Sequence, residues 1–134
     1  MPVTIDELKL EHISIETDLK ELETSAYSMN INYPNLIHTI RSMDEFWNKH
    51  EDKEEKFFSS LSKKGFPIPS KKIFFEHSKF KRHRQNIVDA INSGNEQEVK
   101  KVLQSDGLFL VKEMRSHMKE EDWIFYALPK HLTG

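Results

Sequence analysis

Cysteine is absent from this chain of 134 residues. Its absence excludes disulfide bonds, thiolate metal sites, iron–sulfur clusters and cysteine nucleophiles. Any metal that the protein binds must therefore be held by histidine and carboxylate side chains.

Long apolar runs are missing as well. No stretch approaches the roughly 20 consecutive apolar residues that cross a bilayer, and Met1 to Thr4 lead directly into an amphipathic segment without a signal-peptide core. Neither sign of charge dominates, because 20 Lys and Arg stand against 22 Asp and Glu. We therefore expect a soluble, cytoplasmic protein that does not bind membranes and is poorly suited to nucleic acid.

Glycine and proline are scarce, at four and five residues, and five of these nine lie in clusters of turn-forming residues at 30–35, 65–70 and 92–95. Between these turns the chain has helical periodicity and almost no strand alternation. We predict an all-α fold, an antiparallel up-down-up-down four-helix bundle with helices near 4–28, 34–63, 70–92 and 95–129. A hydrophobic share of 37% suits one core, so residues 1–134 are expected to form a single domain.

Each predicted helix has inward positions spaced alternately three and four residues apart, as bundle helices do. In every helix a histidine stands where an apolar residue is expected. Burying such groups without partners costs roughly 1–3 kcal/mol each, so an interaction must offset that cost. The four histidines are His12, His50, His77 and His117. The same spacing places Arg84, Phe57, Ile124 and Leu128 inward.

Two of the histidines have a glutamate four residues later, in the pairs His50 with Glu54 and His117 with Glu121. At about 100° per residue, the members of each pair lie within about 40° on one helix face. Both pairs can therefore converge on one centre.

The levels of the histidines along the helices can also be compared. His12 and His50 both lie 19 residues from position 31 in the first turn, so they should face each other. His77 lies 17 residues before position 94, whereas His117 lies 23 after it. This difference amounts to about 9 Å of helix, and we expect a kink at Gly107 to take up part of it.

Four imidazoles with two carboxylates suit first-row metals, chiefly iron, with manganese or zinc as competitors. Two carboxylates among four imidazoles indicate two metals, and the alternative is a polar layer held by hydrogen bonds alone. Ferritin-like bundles need Glu-x-x-His, which is absent from the chain. A zincin needs His-Glu-x-x-His, and the segment from His50 to Glu54 lacks the second histidine.

Short motifs surround the polar positions of all four predicted helices. They are Glu11-His12, His50-x-x-x-Glu54, Glu76-His77 and His117-Met118-Lys119-Glu120-Glu121-Asp122, the last followed by Ile124-Phe125-Tyr126. In combination, and over nearly the whole chain, they resemble the hemerythrin-like, or HHE cation-binding, domain family.

The resemblance implies two non-haem iron ions with a bridging oxo or hydroxo group and an open position for dioxygen or another small diatomic ligand. It also implies that four histidines are terminal ligands and that two glutamates bridge the irons. The implied metal ligands are His12, His50, Glu54, His77, His117 and Glu121.

The chain departs from the family in two places. Oxygen carriers of the family have a second histidine four residues after the first in the third helix, where this chain has Lys81. His83 lies about 120° around that helix from His77 and is a poor replacement. Carriers also use a carboxylate five residues after the last histidine, which would be Asp122, but Glu121 has the better angle and the longer reach.

Other polar residues receive a structural interpretation. Glu51 is a possible auxiliary ligand, but its offset of about 100° from His50 favours a solvated or capping role. His38 and His131 are not expected to bind the centre. Trp47 and Tyr126 are expected to pack beside the polar layer. The basic cluster of Lys79, Lys81, Arg82, His83 and Arg84, with Phe80, is interpreted as a solvated helix face that could touch an acidic partner.

The function expected from these features is a di-iron protein that binds or senses dioxygen or a related small molecule, or that handles iron, rather than an enzyme. One alternative is a di-iron enzyme that acts on peroxide or nitric oxide or donates iron for repair. Another is a metal-stabilised interaction domain that recruits an unknown protein partner through the basic cluster.

Overall fold

The computed structural model describes residues 3–129, and every regular element in that range is a helix. The elements are α1 (Ile5–Tyr27), α2 (Tyr33–Lys63), α3 (Ser70–Ser93), α4 (Glu96–Val102), a π-helical turn (Leu103–Gly107) and α5 (Leu108–Ala127). Because α4, the π-helical turn and α5 follow one another directly, they make up the fourth rod of the bundle. The predicted all-α four-helix bundle is confirmed, and its predicted helix ends lie within two residues of the observed ones.

Side-chain caps define three of the helix starts. Thr4 Oγ1 accepts a hydrogen bond from the backbone N–H of Glu7, and the Oδ1 atoms of Asn32 and Asn95 do the same for the third residue after each of them. Such caps typically contribute about 1 kcal/mol each. Gly94 ends α3 with a positive φ of 71°, the left-handed conformation that glycine adopts at the end of a helix.

The π-helical turn lies where the sequence predicts a kink. Its wider hydrogen-bonding pattern inserts roughly one extra residue into the fourth rod, which takes up a small part of the level difference between His77 and His117. Asp106 in this turn accepts hydrogen bonds from His83 Nδ1 at 2.6 Å and Asn86 Nδ2 at 2.9 Å, both on α3.

The core has two apolar parts with a polar layer between them. In α1, for example, His12 lies between Leu8, which belongs to the smaller part, and Ile15, which belongs to the larger one. The smaller part consists of Ile5, Leu8, Phe58, Leu61, Ile73 and Phe125. Buried polar side chains are therefore enclosed by apolar residues both above and below.

The predicted inward faces of α1 and α3 are buried throughout. The predicted inward faces of α2 and α5 are wrong near their C-terminal ends. Phe57, Ile124 and Leu128 were expected inside but are only half-buried, and Phe58 and Phe125 are buried instead. The residue four positions after Glu54 or Glu121 lies about 40° from it around the helix, whereas the residue three positions after lies about 60° away on the other side, so Phe58 and Phe125 are closer to the inward face. Leu128 lies just beyond the last residue of α5.

Within residues 3–129, every helix is too short or too polar to cross a membrane.

Candidate metal centre

Six polar side chains from four helices meet in the polar layer, and each is at most 5% exposed. Two sets of four have potential ligand atoms that all lie within 4.8 Å of one another. One set is His12, His50, Glu54 and Glu121, and the other is Glu54, His77, His117 and Glu121. Both glutamates therefore belong to both sets, while each set has its own pair of histidines.

The Nε2 atoms of the histidines face the two shared carboxylates. His12 Nε2 lies 2.9 Å from Glu54 Oε2 and 3.2 Å from Glu121 Oε1, and His50 Nε2 lies 3.1 Å from Glu54 Oε2. On the other side, His77 Nε2 lies 3.2 Å from Glu54 Oε1, and His117 Nε2 lies 3.0 Å from Glu121 Oε2.

The opposite nitrogen, Nδ1, of each histidine contacts a second carboxylate. His50 Nδ1 lies 2.8 Å from Glu11 and His77 Nδ1 lies 2.9 Å from Glu55. For the remaining two histidines, the contacts are His12 Nδ1 with Asp122 at 3.0 Å and His117 Nδ1 with Glu76 at 3.2 Å. A carboxylate can only accept here, so each Nδ1 carries the proton, and the Nε2 of a neutral imidazole then presents a lone pair to the centre.

Several inward atoms lack a hydrogen-bond partner among the described residues. They are Glu54 Oε1, both carboxylate oxygens of Glu121, and the Nε2 atoms of His77 and His117. Lone pairs that face carboxylate oxygens at about 3 Å repel each other unless a positive charge lies between them. The donor set therefore fits cations bound by imidazole nitrogen and carboxylate oxygen.

The electrostatics of the two glutamates differ. Burial raises the pKa of Glu54, but close contacts with three imidazoles, which can carry a second proton on Nε2 when no metal is bound, outweigh burial and hold that pKa well below its ordinary value. The imidazoles are those of His12, His50 and His77. Burial and the neighbouring charge of Glu54 raise the pKa of Glu121. Two buried carboxylates this close together require positive charge nearby.

The neighbouring carboxylates also change the pKa values of the histidines. Burial lowers the pKa of His12, but its contacts with Asp122, Glu121 and Glu54 raise it to about 11. Burial also lowers the pKa of His77, and Glu54 raises it to about 9. The carboxylates thus attract positive charge strongly enough for protons and metal ions to compete for the same Nε2 atoms.

A family model described as the hemerythrin HHE cation binding domain matches residues 3–128. The chain belongs to this family. The resemblance drawn from the motifs is thereby confirmed, and with it a cation-binding function of the domain. Neither the curated proteins nor the solved structures contain a significant match.

The HHE domain here places the two candidate carboxylates of α5 in different positions. Glu121 faces the centre, as its angle on the helix predicts, whereas the side chain of Asp122 is 52% exposed and contacts His12 Nδ1. Three further outer carboxylates were missed from the sequence, namely Glu11, Glu55 and Glu76. Each is adjacent in sequence to a residue of the centre but contacts a histidine of the neighbouring helix.

Glu51 was also misplaced by the sequence interpretation, because it is neither solvated nor a cap. It is 2% exposed and accepts two hydrogen bonds from Arg84, which is itself fully buried. Arg84 also donates to Asp44 at 3.0 Å and to Asn48 at 2.7 Å. A buried guanidinium must be paired in this way, since an unpaired charge there would be very costly.

The burial of Arg84 corrects the interpretation of the basic cluster on α3 as a solvated face. Phe80 is also buried, its ring centroid lying 5.1 Å from that of His117, and His83 is partly buried against Asp106. Lys81 is exposed, so α3 supplies only His77 to the two donor sets.

Trp47 packs in the core as predicted, with Nε1 donating to Asp18 at 3.0 Å. The prediction for Tyr126 is wrong, because this residue is 80% exposed on the outer side of α5. His38 is exposed and belongs to neither donor set, and His131 lies outside the described residues.

The two halves of the centre are related by an approximate two-fold symmetry. The ring centroids of His12 and His50 lie 5.0 Å apart with planes at 62°, and those of His77 and His117 lie 5.0 Å apart at 61°. The same operation relates α1 to α3 with an offset of 65 residues and α2 to α5 with an offset of 67. It pairs Phe58 with Phe125, whose rings stack at 5.6 Å. Each half thus offers one ion two imidazoles and a share of both carboxylates.

Proposed function

We propose that this HHE domain is a non-haem di-iron protein that binds or senses dioxygen or another small diatomic molecule, or that handles iron. The observation that carries the proposal is the membership of Glu54 and Glu121 in both donor sets. A carboxylate has two oxygens, so each glutamate can contact two ions at once, and one pair of histidines completes each side.

The choice of iron follows from the donors. Imidazole nitrogen with carboxylate oxygen and no thiolate suits iron better than softer or harder metals, with manganese and zinc as the competitors. In this proposal His12, His50, His77 and His117 are terminal ligands, and Glu54 and Glu121 are bridging ligands. Bound iron would supply reversible redox chemistry and, beside a bridging oxo or hydroxo group, free coordination positions for a small molecule.

The outer carboxylates and the apolar residues around the centre orient its donors and shield them. The outer carboxylates hold each imidazole in one tautomer and direct its Nε2 inward, as in other histidine metal sites. The apolar residues above and below the layer exclude water from the donors. In this proposal each ion has four protein donors, two imidazoles and two carboxylate oxygens, and solvent or small molecules take the remaining positions. Such an under-coordinated centre suits binding or sensing better than long-lived oxygen carriage. A cytoplasmic location and a single functional domain remain part of the proposal.

Metal analysis of the freshly purified full chain, with its optical spectrum, tests this function. We expect about two iron ions per chain. A reconstitutable stoichiometry of one zinc, or no metal at any loading, would contradict the di-iron proposal and leave the family assignment intact. Turnover of peroxide or nitric oxide by the iron-loaded protein would assign it to the enzymes instead.

A further inference from the structure

A surface groove of about 540 Å³ runs between α1 and α5 and reaches the centre. The HHE metal site does not account for it, although its floor includes His12 and the carboxylate of Asp122 that contacts His12 Nδ1. Ile13, which is 65% exposed, and Met118 provide apolar walls. Clefts of a few hundred Å³ are typical of small-molecule sites, and this one combines two apolar residues with six ionisable ones.

The charges around this α1–α5 groove fall into two kinds. Arg115 lines the groove but is held by Glu16 at 2.9 Å and Glu23 at 3.3 Å. Lys9 and Lys119 also line it, and neither has a carboxylate partner within the described residues. Asp122, which also lines the groove, is engaged by His12 Nδ1 at 3.0 Å, so among the described charges of the groove the two lysines are the ones without an opposite partner.

The positions of the two lysines follow from the antiparallel helices. Lys9 lies three residues before His12 on α1, and Lys119 lies three residues before Asp122 on α5. Because His12 and Asp122 are in contact and their helices run in opposite directions, the lysines lie on opposite sides of this contact, each about 4.5 Å along the axis. A small anion beside the contact is within reach of both flexible side chains.

The symmetry-related groove between α2 and α3 has a different character. A groove of about 440 Å³ lies there, and its lining does not include the centre histidine of α3. It is lined by Asp52, Glu55, Lys56, Ser59, Ser60, Lys63 and Phe74. At the positions related by the approximate two-fold axis, Asp52 replaces Lys119 and Phe74 replaces Lys9. The positions related to Lys9 and Lys119 therefore carry no positive charge in the α2–α3 groove, and its lining does not include a centre histidine as that of the α1–α5 groove does.

We propose that the α1–α5 groove binds a small organic carboxylate whose apolar part contacts Ile13 and Met118 and whose anionic group pairs with Lys9 and Lys119. This site does not depend on which metal the centre holds. It places an organic ligand directly beside the outermost carboxylate–histidine contact of the centre.

Calorimetric titration of the purified full chain with benzoate tests the proposal. Two comparison ligands separate the contribution of the aromatic ring from that of the negative charge. Benzyl alcohol keeps the apolar ring without the charge, and acetate keeps the charge without the ring. We expect one benzoate per chain, with both comparison ligands binding at least about tenfold more weakly. Benzoate binding should also weaken as salt is added.

Matched lysine variants locate the site. Replacing both Lys9 and Lys119 with Gln should weaken benzoate binding about tenfold, because each exposed pair contributes up to about fivefold. Replacing both Lys20 and Lys64 with Gln gives the same change in net charge on exposed positions away from the groove and should leave the affinity within about twofold. All four lysines are exposed, so both double variants should keep the fold.

Two results would overturn the proposal. One is the absence of benzoate binding up to about 10 mM. The other is equal benzoate affinity of the original protein and the Lys9 and Lys119 double variant, which would place the carboxylate elsewhere, including directly on the metal ions. In both cases the di-iron proposal would stand or fall on its own metal analysis.

Discussion

Arg84 and Glu51 form a two-point ion pair in the core, with Nη1 donating to Oε2 at 3.0 Å and Nη2 donating to Oε1 at 2.9 Å. At the symmetry-related positions the other half of the bundle has Leu19 and Met118, both buried and apolar. The fold therefore accommodates an apolar pair at this location as well as a charged one.

A double-mutant cycle should separate the cost of breaking this pair from its net contribution. Arg84→Leu alone leaves the buried carboxylate of Glu51 without its partner and should lower the free energy of unfolding by about 3–5 kcal/mol. Glu51→Met alone should cost less, because Arg84 keeps its ion pair with Asp44. The double variant, which copies the opposite half, should lose no more than about 1 kcal/mol. Urea unfolding of all four proteins gives these values, and additive single effects would show that the pair is not coupled.

The second prediction links the metal to stability. A ligand bound only by the folded state adds roughly 4 kcal/mol at a thousandfold excess over Kd, so His50→Ala or His117→Ala should lower Tm by about 10 °C together with the iron content. His38→Ala removes an exposed histidine outside both donor sets and should change neither quantity. Differential scanning calorimetry with metal analysis makes the comparison. Equal losses in all three variants would mean that the donors are assigned wrongly.

The third prediction concerns the outer carboxylates. Glu55 contacts His77 Nδ1 at 2.9 Å, so Glu55→Leu should free the ring of His77 and weaken metal binding about tenfold or more. Asp52→Asn is a matched control on the exposed side of the same helix. Competition with a coloured chelator measures both, and unchanged metal affinity in Glu55→Leu would show that the contact does not orient His77.

The fourth prediction concerns Lys81, which lies four residues after His77 and within about 40° on the same face of α3. Lys81→His should add a third imidazole to one donor set and slow the release of iron to a chelator. Lys79→His, two residues earlier and about 200° from His77, should not. If both variants release iron as fast as the original protein, position 81 lies too far out to bind.

The fifth prediction concerns pH. Burial raises the pKa of Asp106, but hydrogen bonds from Asn86 and His83 outweigh it and lower that pKa below its ordinary value of 3.8. A carboxyl group whose pKa is lower in the folded protein adds stability above its ordinary pKa and loses it as the pH falls through the lowered value. The difference in unfolding free energy between the original protein and Asp106→Asn should therefore be largest near neutral pH and shrink below about pH 4. A pH-independent difference would contradict this.

The sequence predicts the four helices and the residues that meet at the centre because both depend on inward positions alone. Glu51, Glu55 and Glu11 each lie about 100° from an inward position, and such an offset in a four-helix bundle points at the neighbouring helix rather than at solvent. The interpretation of Glu51 as solvated was wrong because α3, with Arg84, packs against that side of α2. Which helix lies on which side depends on the handedness of the bundle, and one sequence does not specify that.

The approximate two-fold axis also determines how the centre is assembled. The hairpin of α1 and α2 carries His12, His50 and Glu54, and the second half of the chain carries the other three inward donors. Each half supplies only one of the two inward glutamates, so neither can bridge a pair of ions through two glutamates before the halves dock. Separation of two intact hairpins would split the donor set without unwinding a single helical turn. In the proposed di-iron protein, metal occupancy should therefore depend on the docking of the two halves, and their separation should release the metal.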